Sequence, residues 1–277
     1  MFQGSFVAIV TPWKDGKLDK DALAKLIDFQ IEGGTNGIVP CGTTGESATM
    51  SHAEHNEVIR FTIERVAGRV PVIAGTGSNS TSEALELTAK AKELGADGAL
   101  LISPYYNKPT QEGLYQHYKK IADEVAIPQI VYNCPGRTSS SVAPDTVARL
   151  SKVPHIVALK DAEGSIDYTS EVANKCDITI LSGNDSMNLP ILAVGGKGCI
   201  SVLANVAPRQ TSDLIALALS GKWDEARALH NRLFPLCKAL FVETNPIPVK
   251  AGCEMLGLCG PEIRLPLVPI TDGARQK

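Results

Sequence analysis

One lysine closes an apolar run near the middle of the chain. Residues 156–159 read Ile-Val-Ala-Leu, Lys160 follows them, and Asp161 and Glu163 stand just beyond. Burial in a medium of low dielectric disfavours an ammonium ion, so a lysine at such a position tends toward the neutral amine, a nucleophile for carbonyl carbon. The other interpretation is that Lys160 lies past the strand and reaches solvent or a carboxylate. The neighbouring residues decide whether Lys160 forms a Schiff base.

Polar or small residues also end other apolar runs of the chain. Tyr132 stands near the end of the run over residues 128–133, and Gly183 closes the run over residues 178–183. Neighbouring parallel strands lie roughly 4.8 Å apart, so a phenol and an amine at adjacent strand ends can serve one small substrate if both face inward. Tyr132 and Lys160 are therefore predicted to act together.

The segment 42–45 reads Gly-Thr-Thr-Gly and runs from a predicted strand into a predicted helix. In such a loop glycine lets backbone N–H groups turn toward an anion, and a carboxylate suits this loop better than a phosphate. The loop has neither the lysine nor the length of a P-loop, and Gly75 and Gly77 do not complete a G-x-G-x-x-G pattern, so nucleotide binding is weakly supported. Taken alone, the segment is also consistent with a simple turn.

Arg137 lies in a turn beyond the strand that ends near Tyr132. It follows Pro135 and Gly136, and its guanidinium could hold a second carboxylate as a bidentate fork. A surface arginine in a loop is the alternative interpretation. Together, the loop 42–45 and Arg137 offer places for two carboxylates beside a Schiff-base lysine.

These residues need a scaffold that brings strand ends together. Short β-rich runs alternate with longer amphipathic stretches, and each run is nearly continuous in apolar residues, as strands covered on both faces should be. Eight such runs occur, at residues 6–10, 37–40, 70–75, 98–103, 128–133, 156–160, 178–183 and 199–203. Eight is the strand number of the (βα)₈ TIM barrel, an α/β fold whose active site lies at the C-terminal strand ends. We predict a barrel over residues 1–221 and a small C-terminal helical appendage over residues 222–277.

Helix starts and stops support this alternation. Ser51 with Glu54, and Ser80 with Glu83, have the spacing of capping boxes. Glycines follow several helical patterns just before the next predicted strand, where a left-handed residue is wanted. The last barrel helix is expected at about residues 208–220, and residues 223–257 are expected to form extra helices.

The composition excludes several classes of function. A net charge of −3 gives no basic field for nucleic acid. The N-terminal residues lack the basic and apolar regions of a signal peptide, and no apolar run approaches the roughly 20 residues of a membrane span. The seven cysteines are odd in number and have no paired-ligand spacing, so neither disulfides nor a metal site is expected. We expect a cytoplasmic protein without nucleic-acid or membrane partners.

Four spaced motifs carry a resemblance to a known family. They are Gly-Thr-Thr-Gly-Glu-Ser at 42–47, Tyr-Asn-Cys-Pro-Gly-Arg-Thr at 132–138, the strand with Lys160, and Asn-Pro-Ile-Pro-Val-Lys at 245–250. In this order they make the chain resemble the dihydrodipicolinate synthase family over essentially its whole length. The resemblance implies condensation of pyruvate with L-aspartate 4-semialdehyde on the diaminopimelate route to lysine, without a cofactor. It also implies a homotetramer, a dimer of dimers.

The resemblance assigns roles to individual residues. Lys160 matches the lysine that binds pyruvate as a Schiff base. Tyr132, Thr43 and Tyr106 match a proton relay, to which Tyr106 is lent across a subunit interface. The matching substrate-binding residues are Thr44 for the pyruvate carboxylate, Arg137 for the semialdehyde carboxylate, and Gly183 and Ile200.

A second site also follows from the resemblance. Family members that are inhibited by lysine bind it at a dimer interface, and Glu83 would hold the ammonium group of that ligand. The alternative is that Glu83 closes a capping box and that the histidines lie on a helix surface. The matching positions are Ser47, Ala48, His52, His55, Asn79, Glu83 and Tyr105.

Three rival functions use some of the same residues. N-acetylneuraminate lyases and keto-deoxy sugar acid aldolases, in the same superfamily of class I aldolases, share the lysine and tyrosine, but Thr43, Thr44 and the Pro-Gly-Arg-Thr turn favour the synthase. A pyridoxal phosphate enzyme also forms a lysine imine, yet the chain offers no convincing phosphate cradle. A catalytically silent barrel would have been signalled by loss of Lys160 or Tyr132, and both are present.

Overall fold

Eight parallel strands form the centre of the computed structural model, which describes residues 2–277. Each strand pairs with its neighbours in one sheet, and the strand at Gly37–Val39 meets the strand at Ile73–Gly75 through a parallel bridge between Ile38 and Val72. The closed sheet confirms the predicted TIM barrel. The strands are β1 Gly4–Ala8, β2 Gly37–Val39, β3 Ile73–Gly75, β4 Gly98–Ile102, β5 Gln129–Asn133, β6 Ile156–Asp161, β7 Thr179–Ser182 and β8 Gly198–Ser201.

Some strand bounds differ from the apolar runs. The run 199–203 overshoots β8, because the chain turns into a short helix at Leu203–Asn205 that is buried as well. The run 70–75 begins before β3, where Pro71 has no N–H to donate. An apolar run indicates that a segment is buried, and a buried turn can be as apolar as a strand. The run alone therefore does not locate the end of the strand.

Helices follow the strands around the barrel. The capping box of Ser51 and Glu54 is confirmed. The capping box of Ser80 and Glu83 is wrong, because the Glu83 carboxylate accepts hydrogen bonds from Ser78 and His52 instead of closing the helix start. The helices are α1 Lys20–Glu32, α2 His52–Val66, α3 Thr81–Leu94, α4 Gln111–Glu124, α5 Pro144–Leu150, α6 Ile166–Lys175, α7 Asn188–Ala193 and α8 Pro208–Leu219.

Three α-helices follow α8, namely α9 Trp223–Ala239, α10 Ile247–Met255 and α11 Asp272–Arg275, and a one-turn helix at Pro135–Thr138 lies between β5 and α5. Buried side chains of α9 and α10 belong to the same apolar cluster as those of α1 and α8. Because this cluster is continuous, a division of the chain at residue 221 stays a prediction. No helix within residues 2–277 is both long and apolar enough to cross a bilayer.

The barrel interior is filled by alternate residues of the strands. Ala158 of β6 and Ile130 of β5 face this interior together with Ile200 of β8. Side chains two apart on a strand share a face. Lys160 and Tyr132 therefore stand above Ala158 and Ile130, in the layer nearest the C-terminal ends of the strands.

Candidate active site

Lys160 and Tyr132 meet at the C-terminal end of the barrel. The register of β5 and β6 sets them directly opposite one another, and Lys160 Nζ lies 4.0 Å from the centroid of the Tyr132 ring. Lys160 is 5% exposed. No carboxylate of the described chain forms an ion pair with it. The amine is thus held inside the barrel beside a phenol, away from solvent.

Burial dominates the titration of both side chains. It lowers the pKa of Lys160 to about 8, against the opposing influence of Cys134 and Asp185. It raises the pKa of Tyr132 above its ordinary value, while the Thr43 hydroxyl and the Arg137 charge act in the opposite direction. Lys160 therefore has a substantial neutral fraction near pH 8, and Tyr132 keeps its proton at neutral pH.

Gly183 gives Lys160 its space. A Cβ atom at Gly183 would lie 3.1 Å from Lys160 Cε and 2.8 Å from Ala162 Cβ, closer than packed atoms normally approach. Ile200 is fully buried in the interior cluster that also contains Tyr132. Gly183 thus lies against the Lys160 side chain, and Ile200 belongs to the interior cluster with Tyr132.

The loop after β2 presents two unpaired backbone donors. Thr11 Oγ1 donates to Gly45 O at 2.7 Å, and Glu46 N donates to Thr43 O at 3.1 Å, which together shape the loop. Within residues 2–277, the backbone N–H groups of Thr43 and Thr44 donate to no protein acceptor. Free N–H groups on a glycine-rich turn are suited to a carboxylate.

A segment near the C-terminal end of the chain returns to this loop. Asn245 Nδ2 donates to Thr44 Oγ1 at 3.1 Å, and Arg137 Nη2 donates to Asn245 O at 3.0 Å. Asn245 therefore contacts both residues that the resemblance gives to carboxylates. Residues 245–250 carry part of the resemblance, but no role for Asn245 follows from the sequence because its partners are far away along the chain.

A buried ion pair lies beneath the loop. Lys250 Nζ pairs with Glu46, and both side chains are 2% exposed. The other carboxylate oxygen of Glu46 accepts the Arg264 backbone N–H at 2.9 Å. Glu46 adopts φ of 59°, a conformation that its ion pair and hydrogen bonds hold in place. No pattern in the sequence predicted this pair.

Asp185 is a second buried group that the sequence analysis missed. Its carboxylate accepts hydrogen bonds from Val202 N at 2.9 Å and Leu203 N at 2.8 Å. These contacts satisfy the start of the turn that follows β8. Asp185 also favours the charged form of Lys160 through space. A short acidic residue after an apolar run would have been the only signal.

A cleft of about 460 Å³ opens beside the loop. Thr43, Arg137 and Asn245 line it on the side of the barrel mouth. Asn79 does not line it, and its backbone carbonyl accepts a hydrogen bond from Asn107 Nδ2 at 2.9 Å. Six of the seven positions predicted to bind lysine line the cleft, namely Ser47, Ala48, His52, His55, Glu83 and Tyr105.

Glu83 is an acidic residue of this cleft that has no lysine or arginine partner in the described chain. His52 Nε2 lies 2.9 Å from Glu83 Oε1, and Ser78 donates to the other oxygen. These two hydrogen bonds lower the pKa of Glu83. Burial lowers the pKa of His55, whose Nε2 lies 2.8 Å from Gly75 O. A charged carboxylate thus faces the cleft beside a histidine that favours its neutral form.

Tyr106 does not join the site of its own chain. Its side chain is 90% exposed, and its φ of 71° is unusual for a bulky residue. Such a conformation persists where the surroundings or a function require it. Of the four predicted catalytic residues, Lys160, Tyr132 and Thr43 come together, and Tyr106 points into solvent.

Comparisons with known proteins agree with this geometry. The model of the dihydrodipicolinate synthetase family matches residues 1–277. A 4-hydroxy-tetrahydrodipicolinate synthase from Citrifermentans bemidjiense is 57% identical over 274 residues, 98% of this chain and 94% of that protein.

Two solved structures are also similar. One is the chloride-inhibited dihydrodipicolinate synthase from Acinetobacter baumannii complexed with pyruvate, at 48% identity and a TM-score of 0.98, covering 100% of this chain and 96% of the other. The second is the synthase from Cyanidioschyzon merolae with lysine bound, at 40% identity and a TM-score of 0.96, covering 99% and 95%. The chain therefore belongs to the dihydrodipicolinate synthetase family.

Proposed function

We propose that the chain is a 4-hydroxy-tetrahydrodipicolinate synthase, a lyase that condenses pyruvate with L-aspartate 4-semialdehyde on the diaminopimelate route to lysine. The observation that carries this proposal is the buried, carboxylate-free Lys160 beside Tyr132, with the Thr43–Thr44 donors close to the same barrel mouth. Relatives above 50% identity across the whole chain bear the same activity in their names. Location in the cytoplasm stays a prediction.

The reaction begins at the Lys160 amine. Neutral Lys160 attacks the ketone carbon of pyruvate, and loss of water leaves an iminium ion. The iminium withdraws electrons, so the pyruvate methyl group loses a proton and becomes an enamine carbon. That carbon attacks the aldehyde of the second substrate and forms the new carbon–carbon bond. The substrate's own amine then displaces Lys160 from the iminium carbon, which closes the ring and restores the free lysine.

Tyr132 is placed to move the protons of these steps. Its buried phenol keeps its proton at neutral pH, so it can donate to the oxygen that leaves as water. Thr43 is the neighbour through which that proton is returned, since its hydroxyl both donates and accepts. We propose that Tyr106 of one protomer completes the relay in the site of its partner.

The two substrate carboxylates have separate places. The pyruvate carboxylate is held by the backbone N–H groups of Thr43 and Thr44 and by the Thr44 hydroxyl. The semialdehyde carboxylate binds Arg137, whose guanidinium faces the cleft with one N–H already bonded to Asn245 O. Gly183 and Ile200 form the wall that confines both substrates around Lys160.

Reductive trapping tests the Schiff base. The protein is incubated with pyruvate, reduced with borohydride and mapped by peptide mass. We expect one adduct, on Lys160, and product formation once L-aspartate 4-semialdehyde is added. No adduct, or an adduct on another lysine, would overturn the mechanism. An adduct without turnover of the semialdehyde would overturn the assignment of L-aspartate 4-semialdehyde as the second substrate. It would favour the N-acetylneuraminate lyase or sugar acid aldolase alternative.

We also propose the homotetramer, with Tyr106 shared between subunits. The support is the 90% exposure of Tyr106 in a single chain together with its left-handed backbone. Sedimentation velocity measures the assembly. Complementation tests whether Tyr106 acts in the partner's site. We expect Tyr106→Phe to be weakly active and Lys160→Met inactive when each is assayed alone. Mixing the two variants after dissociation should restore activity, because one site of each mixed dimer then contains both Tyr106 and Lys160. No recovery would contradict sharing, and Tyr105→Phe is the matched control.

Inhibition by lysine is proposed at the cleft of about 460 Å³. The Glu83 carboxylate, whose pKa is lowered, is suited to the ammonium of the ligand. We expect Glu83→Gln to weaken inhibition by lysine at least about tenfold. The matched control is Glu86→Gln, an exposed position on the same helix. Equal inhibition in both variants would remove Glu83 from the site.

A further inference from the structure

Asn245 has a buried side-chain amide in which one polar atom lacks a hydrogen-bond partner within residues 2–277. It is 5% exposed, its Nδ2 donates to Thr44 Oγ1 at 3.1 Å, and its Oδ1 has no partner within residues 2–277. Buried amide oxygens are normally hydrogen-bonded. The side chain also lines the cleft beside the barrel mouth. Its position is therefore set by its contact with Thr44.

This contact fixes the direction in which the Thr44 hydroxyl can donate. A hydroxyl has one proton and two lone pairs. When Asn245 Nδ2 donates to a lone pair of Thr44 Oγ1, the Thr44 proton cannot point back at the amide N–H. It is left free to donate to another acceptor, such as a carboxylate bound by the unpaired N–H groups of Thr43 and Thr44.

We infer that Asn245 is a positioning residue for pyruvate, which keeps the Thr44 hydroxyl turned as a donor toward the substrate carboxylate. The inference rests on the proposed function, since it takes Thr44 as part of the pyruvate site. The inference requires a hydrogen-bond donor at position 245. An amide N–H there orients the Thr44 hydroxyl as a donor toward the substrate, whereas an ionised carboxylate would accept the Thr44 proton and turn a lone pair toward the substrate.

Asn245 is linked to the proposed semialdehyde site only through its backbone. Arg137 donates to the carbonyl oxygen of Asn245, not to its side chain. Replacement of the side chain therefore leaves the Arg137 contact in place. The inference predicts an effect on pyruvate that is separate from any effect on the semialdehyde.

Two variants of Asn245 test this. Asn245→Ala removes the donor, and Asn245→Asp keeps the shape but replaces the donor with an acceptor. We expect the pyruvate concentration for half-maximal trapping on Lys160 to rise about 3–10-fold in Asn245→Ala and about 100-fold or more in Asn245→Asp. The KM for the semialdehyde should stay within about twofold in Asn245→Ala. Asn174→Asp, on the exposed face of α6, is the charge control.

Thr44→Val separates orientation of the hydroxyl from simple charge repulsion. In the Thr44→Val background the difference between Asn245→Ala and Asn245→Asp should shrink to about threefold or less, because no hydroxyl remains to be turned. An undiminished difference would overturn the inference and assign the effect to charge alone. Equal half-saturation in Asn245→Ala and the parent chain would overturn it too, as would equal increases in both KM values.

The outcomes are distinguishable from failure of the proposed function. If the parent chain forms no pyruvate adduct on Lys160, the proposed function fails first. If it forms the adduct and the variants behave like the parent, only the inference fails. Thermal unfolding of each variant identifies any that do not fold, and should Asn245→Asp be one of these, the Asn245→Ala variant and its Thr44→Val double mutant still decide the question.

Discussion

Two lysines are buried within the described chain, and their surroundings differ in one respect. Lys160 lies in the barrel interior, and Lys250 lies beneath the loop after β2. Each is near an aromatic ring, Tyr132 at 4.0 Å from Lys160 Nζ and Trp13 at 6.0 Å from Lys250 Nζ. A carboxylate, Glu46, pairs with Lys250, and none pairs with Lys160.

The difference fits the proposed role of Lys160 as a nucleophile and a supporting role for Lys250. Burial lowers the pKa of both, but the Glu46 carboxylate opposes the shift at Lys250. Loss of a proton from Lys250 would leave the Glu46 charge buried without a partner, which is costly. Lys160 has no such partner, so its proton can leave. Absence of an ion pair with a carboxylate is what leaves the amine able to lose its proton.

Exchange of the two lysines for methionine should separate these roles most strongly. Lys160→Met should abolish the pyruvate adduct and reduce turnover about 10⁴-fold or more, because no other group forms the imine. Stability should not fall, since an unpaired buried amine is replaced by an apolar side chain. Turnover and urea unfolding measure both. A Lys160→Met enzyme with turnover close to that of the parent chain would contradict the assignment.

Removal of the Tyr132 hydroxyl should affect proton transfer and leave the imine. We expect Tyr132→Phe to lower kcat about 10²–10⁴-fold, the usual range for loss of a general acid–base group, while borohydride still traps pyruvate on Lys160. The matched control is Tyr168→Phe, because Tyr168 is another buried tyrosine and donates to Val142 O at 2.7 Å. Unchanged kcat in Tyr132→Phe would give the tyrosine a packing role only.

Lys250→Met should act on stability. The change leaves Glu46 charged and buried, at a cost of about 3–5 kcal/mol in the free energy of unfolding. Lys250→Met combined with Glu46→Gln should recover most of this loss, because the uncharged amide still accepts the Arg264 N–H. Urea unfolding measures each free energy. A double variant no more stable than Lys250→Met alone would show that the pair is not what stabilises this region.

The smallest expected effect is on pH dependence. The attacking form of Lys160 is neutral, and its folded pKa is about 8, so the rate of adduct formation should rise about tenfold per unit below pH 8 and level off above it. Raising the pH removes the proton, which is the direction that produces the nucleophile. Timed incubation with pyruvate, followed by reduction in one common buffer, measures the rate. A rate that is flat between pH 6 and 8 would contradict the shift.

The barrel and its reactive pair were predictable because local patterns encode them. Apolar runs ending at Tyr132 and Lys160 are visible within ten residues of sequence, and parallel pairing then brings the two together. The strand end predicted from the run 199–203 was wrong, because burial alone does not distinguish a strand from a buried turn. The Ser80 capping box was wrong because His52, on another helix, competes for Glu83.

Support for the reactive loop was not predictable in the same way. Asn245 reaches Thr44 and Lys250 reaches Glu46 across about two hundred residues of chain. No periodicity or short motif encodes a pairing at that separation. The motif at residues 245–250 marked the segment as distinctive, but only the fold shows that it contacts the loop proposed to hold pyruvate.

That long separation has a consequence for the chain while it is being made. The lysine, the tyrosine and the threonine loop are all synthesised by residue 160, yet the amide and the ammonium that hold the loop arrive only at residues 245 and 250. During translation the barrel strands can assemble before these partners leave the ribosome. The proposed pyruvate site is thus completed only in the final part of synthesis, so we expect fragments truncated before residue 245 to contain Lys160 and remain poor catalysts.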